Sequence, residues 1–211
     1  MWEVDGQSRR VTIHMTPQQI GAAYDRVALR WQENTHESYG MDQLGRSLRF
    51  VKNRGRALDV GCGSTGRFIA RFEAEGFRAE GMDVSAEMVA LSQARNPEAT
   101  FHVADIGEWT PPGPYDLITA WDSTFHLPIA SQGPVTKKLC EALAPGGVLF
   151  FTCGGGSPGE ISGSFWNEDF DYSTLGVEGF VAIFQACGCF CRHVEYDQLP
   201  ENHVYVIAQK A

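Results

Sequence analysis

Residues 56–66 have the sequence Arg56-Ala57-Leu58-Asp59-Val60-Gly61-Cys62-Gly63-Ser64-Thr65-Gly66, and this stretch decides the fold. An apolar run leads into a glycine-rich turn, and residues 67–72 have the pattern of a helix. A strand, a tight turn and a helix in this order begin a βαβ unit. Glycines let the backbone bend sharply and approach a ligand, and the start of the helix directs free N–H groups toward it.

The spacing of Gly61, Gly63 and Gly66 matches the G-x-G-x-x-G pattern of dinucleotide-binding turns. A similar turn can hold S-adenosylmethionine (SAM). The motif alone therefore leaves two cofactors open, NAD(P) and SAM, and the rest of the chain has to distinguish them.

The chain beyond the turn alternates between strand and helix patterns. After a first strand at 57–60, further strands are predicted at 78–82, 100–103, 116–120 and 148–152. Helices are predicted between them, the last over 134–143. This alternation predicts a parallel sheet with helices on both faces. A helix at 177–186 then precedes strands at 191–196 and 204–208, whose short connection predicts an antiparallel pair.

The 211 residues are expected to form a single domain. Residues 1–15 are predicted to be a flexible arm without a secretory signal, and residues 16–53 to form N-terminal helices. Residues 154–164 are rich in glycine and serine and residues 165–172 are aromatic and acidic. We therefore predict a loop over 154–176 that acts as a lid.

Composition limits the partners. The net charge of −9 argues against binding nucleic acid or an anionic membrane, and no apolar run has the length of a membrane span. Six scattered cysteines predict reduced thiols in the cytoplasm. Cys187, Cys189 and Cys191 have no matching second pair elsewhere, so no metal site is predicted.

Three acidic residues follow predicted strands and distinguish the cofactors. Asp83 suits the hydroxyls of a ribose, which NAD and SAM share. Asp59 would repel a pyrophosphate but suits the ammonium of an amino-acid ligand. Asp105 follows the third strand, where a carboxylate can accept from an adenine amine. These positions favour SAM.

With these residues, the chain resembles the class I SAM-dependent methyltransferases. The resemblance covers about residues 50–155 and is carried by Leu58-Asp59-Val60-Gly61-Cys62-Gly63, Gly81-Met82-Asp83-Val84-Ser85, Ala104-Asp105-Ile106, Tyr115-Asp116-Leu117-Ile118 and Leu143-Ala144-Pro145-Gly146-Gly147-Val148-Leu149. It implies an α/β fold with a doubly wound, Rossmann-like sheet of seven strands, the last one antiparallel.

The turn departs from the family pattern at one position. Thr65 stands where the third glycine of Gly-x-Gly-x-Gly is usual, and Gly66 follows it. Either the turn is one residue longer, or Thr65 takes a conformation that the family gives to glycine.

The resemblance also assigns residues to SAM. For the methionine part they are Asp59, Gly61, Cys62, Gly63, Gly66, Ala120, Trp121 and Tyr24, and for the nucleoside they are Asp83, Val84, Met88, Asp105 and Ile106.

Methyl transfer needs a site that excludes water, aligns the nucleophile and, for some acceptors, removes a proton. His126 is the first candidate for a general base, with His203 and His36 after it; an acceptor that is already ionised needs none. Glu168, Asp169 and Asp171 either favour a cationic acceptor or are solvated. Aromatic residues either enclose the acceptor or pack the lid on the sheet, and those predicted for the acceptor pocket are Trp31, Tyr39, Phe125, Trp166 and Tyr172.

The sequence therefore predicts methyl transfer from SAM to a small-molecule acceptor, with S-adenosylhomocysteine (SAH) as the second product. The expected state is a monomer or a homodimer without nucleic acid or membrane partners. Two alternatives stay open: an NAD(P)-dependent oxidoreductase and a non-catalytic SAM-binding module.

Overall fold

A computed structural model describes residues 14–211. The predicted arm lies outside this range except for its last two residues. In chain order the elements are α1 (Pro17–Asn34), α2 (Met41–Leu48), β1 (Arg56–Val60), α3 (Arg67–Ala74), β2 (Arg78–Asp83), α4 (Ala86–Arg95), β3 (Thr100–Val103), β4 (Tyr115–Ala120), a 3₁₀ turn (Thr124–His126), α5 (Ile129–Glu141), β5 (Leu143–Gly154), β6 (Gly159–Phe165), β7 (Glu168–Thr174), α6 (Gly176–Ala186), β8 (Cys189–Tyr196) and β9 (His203–Lys210).

Seven strands form one mixed sheet in the order β3-β2-β1-β4-β5-β9-β8. Strands β1 to β5 pair in parallel, and β9 runs antiparallel to both of its neighbours. The predicted Rossmann-like sheet with an antiparallel last strand is confirmed. Because β1 is central and its neighbours β2 and β4 lie on opposite sides, the carboxyl ends of these three strands meet at one edge.

The sheet is covered by helices on both faces, as predicted. Neighbouring residues of β5 point to opposite sides, because side chains alternate along a strand. Leu149 and Phe151 pack in a core with α5 and α6, whereas Val148 and Phe150 pack in another with α2 and α3. In the central strands β1 and β4 nearly all residues on both faces are buried, whereas the edge strand β8 leaves Phe190, Val194 and Tyr196 exposed.

The turn between β1 and α3 settles the question about Thr65. Gly61, Gly63 and Gly66 have φ angles of 74°, 59° and 61°, and Thr65 is not among the residues with positive φ. The turn is therefore one residue longer than the family pattern, and Gly66 is the N-cap of α3. A Cβ on Gly66 would lie 2.0 Å from Nδ2 of Asn96 at the end of α4.

The structure corrects three predicted elements. Helix α5 begins at Ile129 rather than at 134, so Pro134 lies inside the helix. Strand β5 begins at Leu143, whereas the sequence predicted a helix up to residue 143 and a strand only from residue 148. The predicted loop over 154–176 contains a two-stranded antiparallel hairpin, β6–β7.

Gly66 and Gly76 allow a matched test of the turn. Gly66→Ala is expected to lower the free energy of unfolding by about 2 kcal/mol or more, since it adds both backbone strain and a collision with Asn96. Gly76 has a φ of 87° but open space around its Cβ direction, so Gly76→Ala should cost only about 1 kcal/mol. Urea denaturation measures both, and equal losses would show that contact with α4 does not constrain the turn.

Candidate active site

A cavity opens at the carboxyl ends of β1, β2 and β4, and α1 covers it. The described residues that line it are Pro17, Ile20, Tyr24, Trp31, Tyr39, Asp59, Val60, Gly61, Cys62, Gly63, Arg67, Phe68, Met82, Asp83, Val84, Met88, Ala104, Asp105, Ile106, Trp121, Asp122, Ser123, Thr124, His126 and Leu127. All residues predicted for the cofactor line this cavity, except Gly66 and Ala120.

The residues predicted for the acceptor divide into two layers. Trp31, Tyr39 and His126 line the cavity, whereas Phe125, Trp166 and Tyr172 do not. The ring of Tyr172 lies 4.9 Å from that of His126, and the ring of Trp166 lies 6.1 Å from that of Trp31. These three aromatic residues therefore form an outer layer that packs against residues of the cavity lining.

Helix α1 is held over the cavity by its contacts with the start of α4. Gly21 approaches so closely that a Cβ there would lie 2.8 Å from the carbonyl oxygen of Val84. One turn later, Oδ1 of Asp25 accepts from the Ser85 hydroxyl at 2.6 Å. Tyr24 lies beside this contact and therefore projects into the cavity.

Asp83 connects the glycine turn to β2. Its Oδ2 accepts from the Gly63 N–H at 3.0 Å and its Oδ1 accepts from the Ser85 N–H at 3.0 Å. Burial raises the pKa of this carboxyl, and the backbone hydrogen bonds oppose that rise. The carboxylate is thus fixed in direction at the edge of the cavity.

Asp59, at the end of β1, is 5% exposed. The Thr119 hydroxyl donates to its Oδ1 at 2.5 Å. Burial raises the pKa of Asp59 to about 6, although the Thr119 hydrogen bond and the positive charge of Arg67 act in the opposite direction. A buried carboxylate with this pKa is suited to a cationic ligand.

Arg67 is a lining residue that the sequence prediction missed. Its Nε donates to the Tyr39 carbonyl at 2.8 Å and its Nη1 to Thr65 Oγ1 at 2.8 Å, so these bonds go to neutral groups. Burial lowers the pKa of this guanidinium. A sequence signal existed, because a positive charge in the first turn of a helix opposes the helix dipole.

Tyr24 and His126 form a hydrogen-bonded pair in the cavity. The distance from the Tyr24 hydroxyl to Nε2 is 2.7 Å, and Nδ1 lies 2.9 Å from the Asp171 carbonyl. Because a carbonyl can only accept, Nδ1 carries the hydrogen and Nε2 accepts from Tyr24. Burial lowers the pKa of His126 to about 4, so the ring is neutral at pH 7.

The other histidines that the sequence suggested lie elsewhere. His203 lies between Asp122 and Asp197, with nitrogen–oxygen distances of 2.8 and 2.6 Å. His36 contacts Ser38 and is exposed. Neither lines the cavity.

Residues 14–211 lack two kinds of feature, which concern metals and membranes. No group of three or more His, Cys, Asp or Glu there is arranged to hold a metal ion. No helix in the same range has the length and apolar character to cross a bilayer.

A family model described as a methyltransferase domain matches residues 31–170. The chain belongs to this methyltransferase family. This methyltransferase is also similar to solved structures that show the same fold. Magnesium protoporphyrin IX methyltransferase from Synechocystis PCC 6803, with bound SAM, has a TM-score of 0.71 at 14% identity, covering 95% of this chain and 100% of that one. A sugar N-methyltransferase from Streptoalloteichus sp. has a TM-score of 0.66 at 16% identity, covering 100% and 98%. At such identities the likeness concerns the fold alone.

Curated relatives match a smaller part of this methyltransferase. The dTDP-4-amino-2,3,4,6-tetradeoxy-D-glucose N,N-dimethyltransferase of Saccharopolyspora spinosa is 31% identical over 122 residues, 54% of this chain and 49% of the relative. The trans-aconitate 2-methyltransferase of Rhizobium etli is 37% identical over 97 residues, 44% of this chain and 36% of the relative. The matches thus span half or less of each relative's length.

The raised pKa of Asp59 means that its ionised form, which suits a cationic ligand, lowers the stability of the folded protein. Because the folded-state pKa exceeds the ordinary 3.8, folding becomes less favourable as the pH rises from about 4 to about 6. Asp59→Asn should therefore raise the free energy of unfolding of the ligand-free methyltransferase at pH 7.5 by up to about 3 kcal/mol. Urea denaturation at pH 7.5 and pH 4 checks this, and the gain should vanish at pH 4. An equal gain at both pH values would contradict it.

Proposed function

We propose that this methyltransferase binds SAM in the cavity and transfers its methyl group to a small-molecule acceptor. The observation that carries the proposal is the pair of buried carboxylates, Asp59 and Asp83, at neighbouring strand ends on either side of the glycine turn. A ligand with an ammonium group near a ribose satisfies both. SAM has these two groups in one molecule.

The turn fits the approach of such a ligand. A Cβ built on Gly63 would meet only the Trp31 indole nitrogen, at 4.0 Å, so this side of the turn is open to the cavity. Asp59 would hold the ammonium and Asp83 the ribose hydroxyls. Around the adenine, the proposed contacts are Val84, Met88, Asp105 and Ile106.

Arg67 adds a group that the sequence prediction lacked. The methionine part of SAM carries a carboxylate, and Arg67 is a partly buried cation among the lining residues. Its two described side-chain bonds to neutral oxygens leave capacity for a charged acceptor. We therefore assign the methionine carboxylate to Arg67. An NAD(P) pyrophosphate would instead lie against Asp59, which disfavours the oxidoreductase alternative.

Bound SAM supplies an electrophilic methyl group on a positively charged sulfur. The residues of the chain then have to exclude water and receive any proton that the acceptor releases. Tyr24 is placed to accept that proton while it passes its own to Nε2 of His126, so the predicted base acts through the tyrosine. A proton acceptor in the cavity favours catalysis over a purely regulatory SAM-binding module.

The remaining partner assignments are part of the proposal. A monomer or a homodimer with one site per chain is the proposed state. The net charge of −9 supports a small molecule rather than nucleic acid or a membrane. All six cysteines are free, which supports a reducing, cytoplasmic compartment.

Calorimetric titration with SAM, SAH and NAD tests the cofactor. SAM and SAH should bind, and NAD should not. Asp83→Asn should weaken SAM binding about 10- to 100-fold, because an amide replaces a charged acceptor for the hydroxyls. Asp116→Asn is the matched control, since Asp116 lies at the opposite end of β4, where it accepts from Gly55 N–H. Binding of NAD without SAM would overturn the proposal.

A double-mutant cycle tests the base. Tyr24→Phe and His126→Gln should each lower kcat by about 10²-fold or more on an acceptor that carries a proton, and the double variant should be no worse than the poorer single one. Both rates are measured as SAH formation at saturating SAM, with SAM affinity as the control. Multiplicative losses would show that the two residues do not act in one proton path.

A further inference from the structure

We propose that the methyl acceptor is an amine and that Asp122 is the carboxylate that binds it. The inference rests on the proposed methyl transfer and specifies the acceptor half of the same cavity.

Asp122 is held rigidly where the cavity continues past β4. Its backbone is in the left-handed region, with φ of 49°, and its N–H donates to Thr152 Oγ1 at 2.7 Å. Its Oδ2 accepts from the Tyr39 hydroxyl at 2.6 Å and its Oδ1 from Nε2 of His203 at 2.8 Å. Each carboxylate oxygen retains a further lone pair, so the group can also accept from a ligand.

The two residues after Asp122 give independent evidence of a polar ligand. Ser123 and Thr124 line the cavity, and Thr124 is only 4% exposed. Among the described residues, the hydroxyls of both have no hydrogen-bond partner. Leaving a buried hydroxyl unpaired is costly, so these groups are expected to bond to a ligand that the chain itself does not provide.

The charge of the cavity selects among polar acceptors. Arg67 is the single Lys or Arg among the described lining residues, against four carboxylates: Asp59, Asp83, Asp105 and Asp122. His126 is neutral at pH 7. An anionic acceptor would therefore face repulsion, whereas an ammonium would be attracted.

His203 does not cancel this charge. Both of its ring nitrogens face carboxylates, Asp122 and Asp197, which raise its pKa against the effect of burial. A protonated His203 between two carboxylates leaves one net negative charge on the group of three. Of these three residues, Asp122 lines the cavity.

The acidic residues of the β6–β7 hairpin do not line the cavity and do not take this role; they are Glu160, Glu168, Asp169 and Asp171. Glu168 is paired with Arg26. Asp171 accepts from the Met15 N–H and the Ser162 hydroxyl, both at 2.6 Å.

The reaction of an amine explains why a carboxylate is useful there. The acceptor ammonium first passes one proton along the Tyr24–His126 pair toward solvent, since a ring with a pKa of about 4 does not retain it. Asp122 keeps the neutral amine in place through its remaining N–H groups. The nitrogen lone pair then forms the bond to the methyl carbon, while the electron pair of the breaking carbon–sulfur bond stays on sulfur. Positive charge thus moves from sulfur to nitrogen, and a carboxylate beside the nitrogen stabilises it in the transition state.

The first experiment compares acceptors of equal shape on the full chain. Primary amines are paired with the carboxylates of the same skeleton: cyclohexylamine with cyclohexanecarboxylate, benzylamine with benzoate, and 6-amino-6-deoxyglucose with glucuronate. Binding to the SAH complex is measured by calorimetry and turnover by SAH formation from SAM. Amines should bind and react. If the carboxylates are preferred, or no amine binds, the inference is wrong; if SAM itself does not bind, the proposed function fails instead.

The second experiment separates direct binding by Asp122 from an effect through His203. Asp122→Asn keeps the shape, and asparagine tolerates the left-handed backbone. It should weaken amine binding to the SAH complex and lower kcat/KM by about 10- to 100-fold, with SAM affinity unchanged. Asp197→Asn removes the carboxylate on the other side of the same histidine and should change amine binding by less than about threefold. Equal losses in both variants would show that Asp122 acts by positioning His203 rather than by binding the amine. Thermal melting of both variants verifies that they remain folded.

Discussion

The Asp83 carboxylate holds the glycine turn in its working shape. It receives the N–H of Gly63 from the turn and the N–H of Ser85 from the start of α4, so one side chain joins the ends of β1 and β2. The Met82 carbonyl adds two more bonds, from Gly61 and Cys62 at 2.8 and 3.0 Å. The positive φ angles of the turn are thus stabilised by neighbouring backbone and do not require a ligand.

This arrangement places two negative charges, those of Asp59 and Asp83, close together in a buried site. Asp59 and Asp83 lie at the ends of adjacent strands. Burial is the main reason why the pKa of each carboxyl is raised. Arg67 lies close enough to lower the pKa of Asp59, yet burial lowers its own. The buried charges of the cavity are therefore not fully paired with one another. A ligand with separated positive and negative groups can pair with them.

The sequence motifs were sufficient to predict the sheet and the cofactor half of the cavity. Each motif lies at a junction of strand, turn and helix, so it is built from residues that are neighbours in the chain. The hairpin was missed because β6, rich in glycine and serine, has no apolar alternation, and it is β7 that buries Phe170 against α1. Pro134 was placed at a helix start because proline is favoured in the first turn, but α5 begins five residues earlier and contains it in its second turn. Asp122 follows the predicted strand 116–120 and so had a local signal, but its importance depends on residues 39 and 203, which are far apart in the chain.

Helix α1 covers the acceptor half of the cavity and the β6–β7 hairpin packs against α1. The bond between Met15 and Asp171 joins residues 156 positions apart. Closing a loop of that length has an entropic cost that is offset only after the sheet between its ends has formed. The glycine turn, by contrast, is held by β1, β2 and α4, which are close together in both sequence and space. The two halves of the cavity therefore differ in the sequence separation of their contacts: the glycine turn is completed within residues 59–96, whereas the acceptor half joins residues as far apart as 39 and 203.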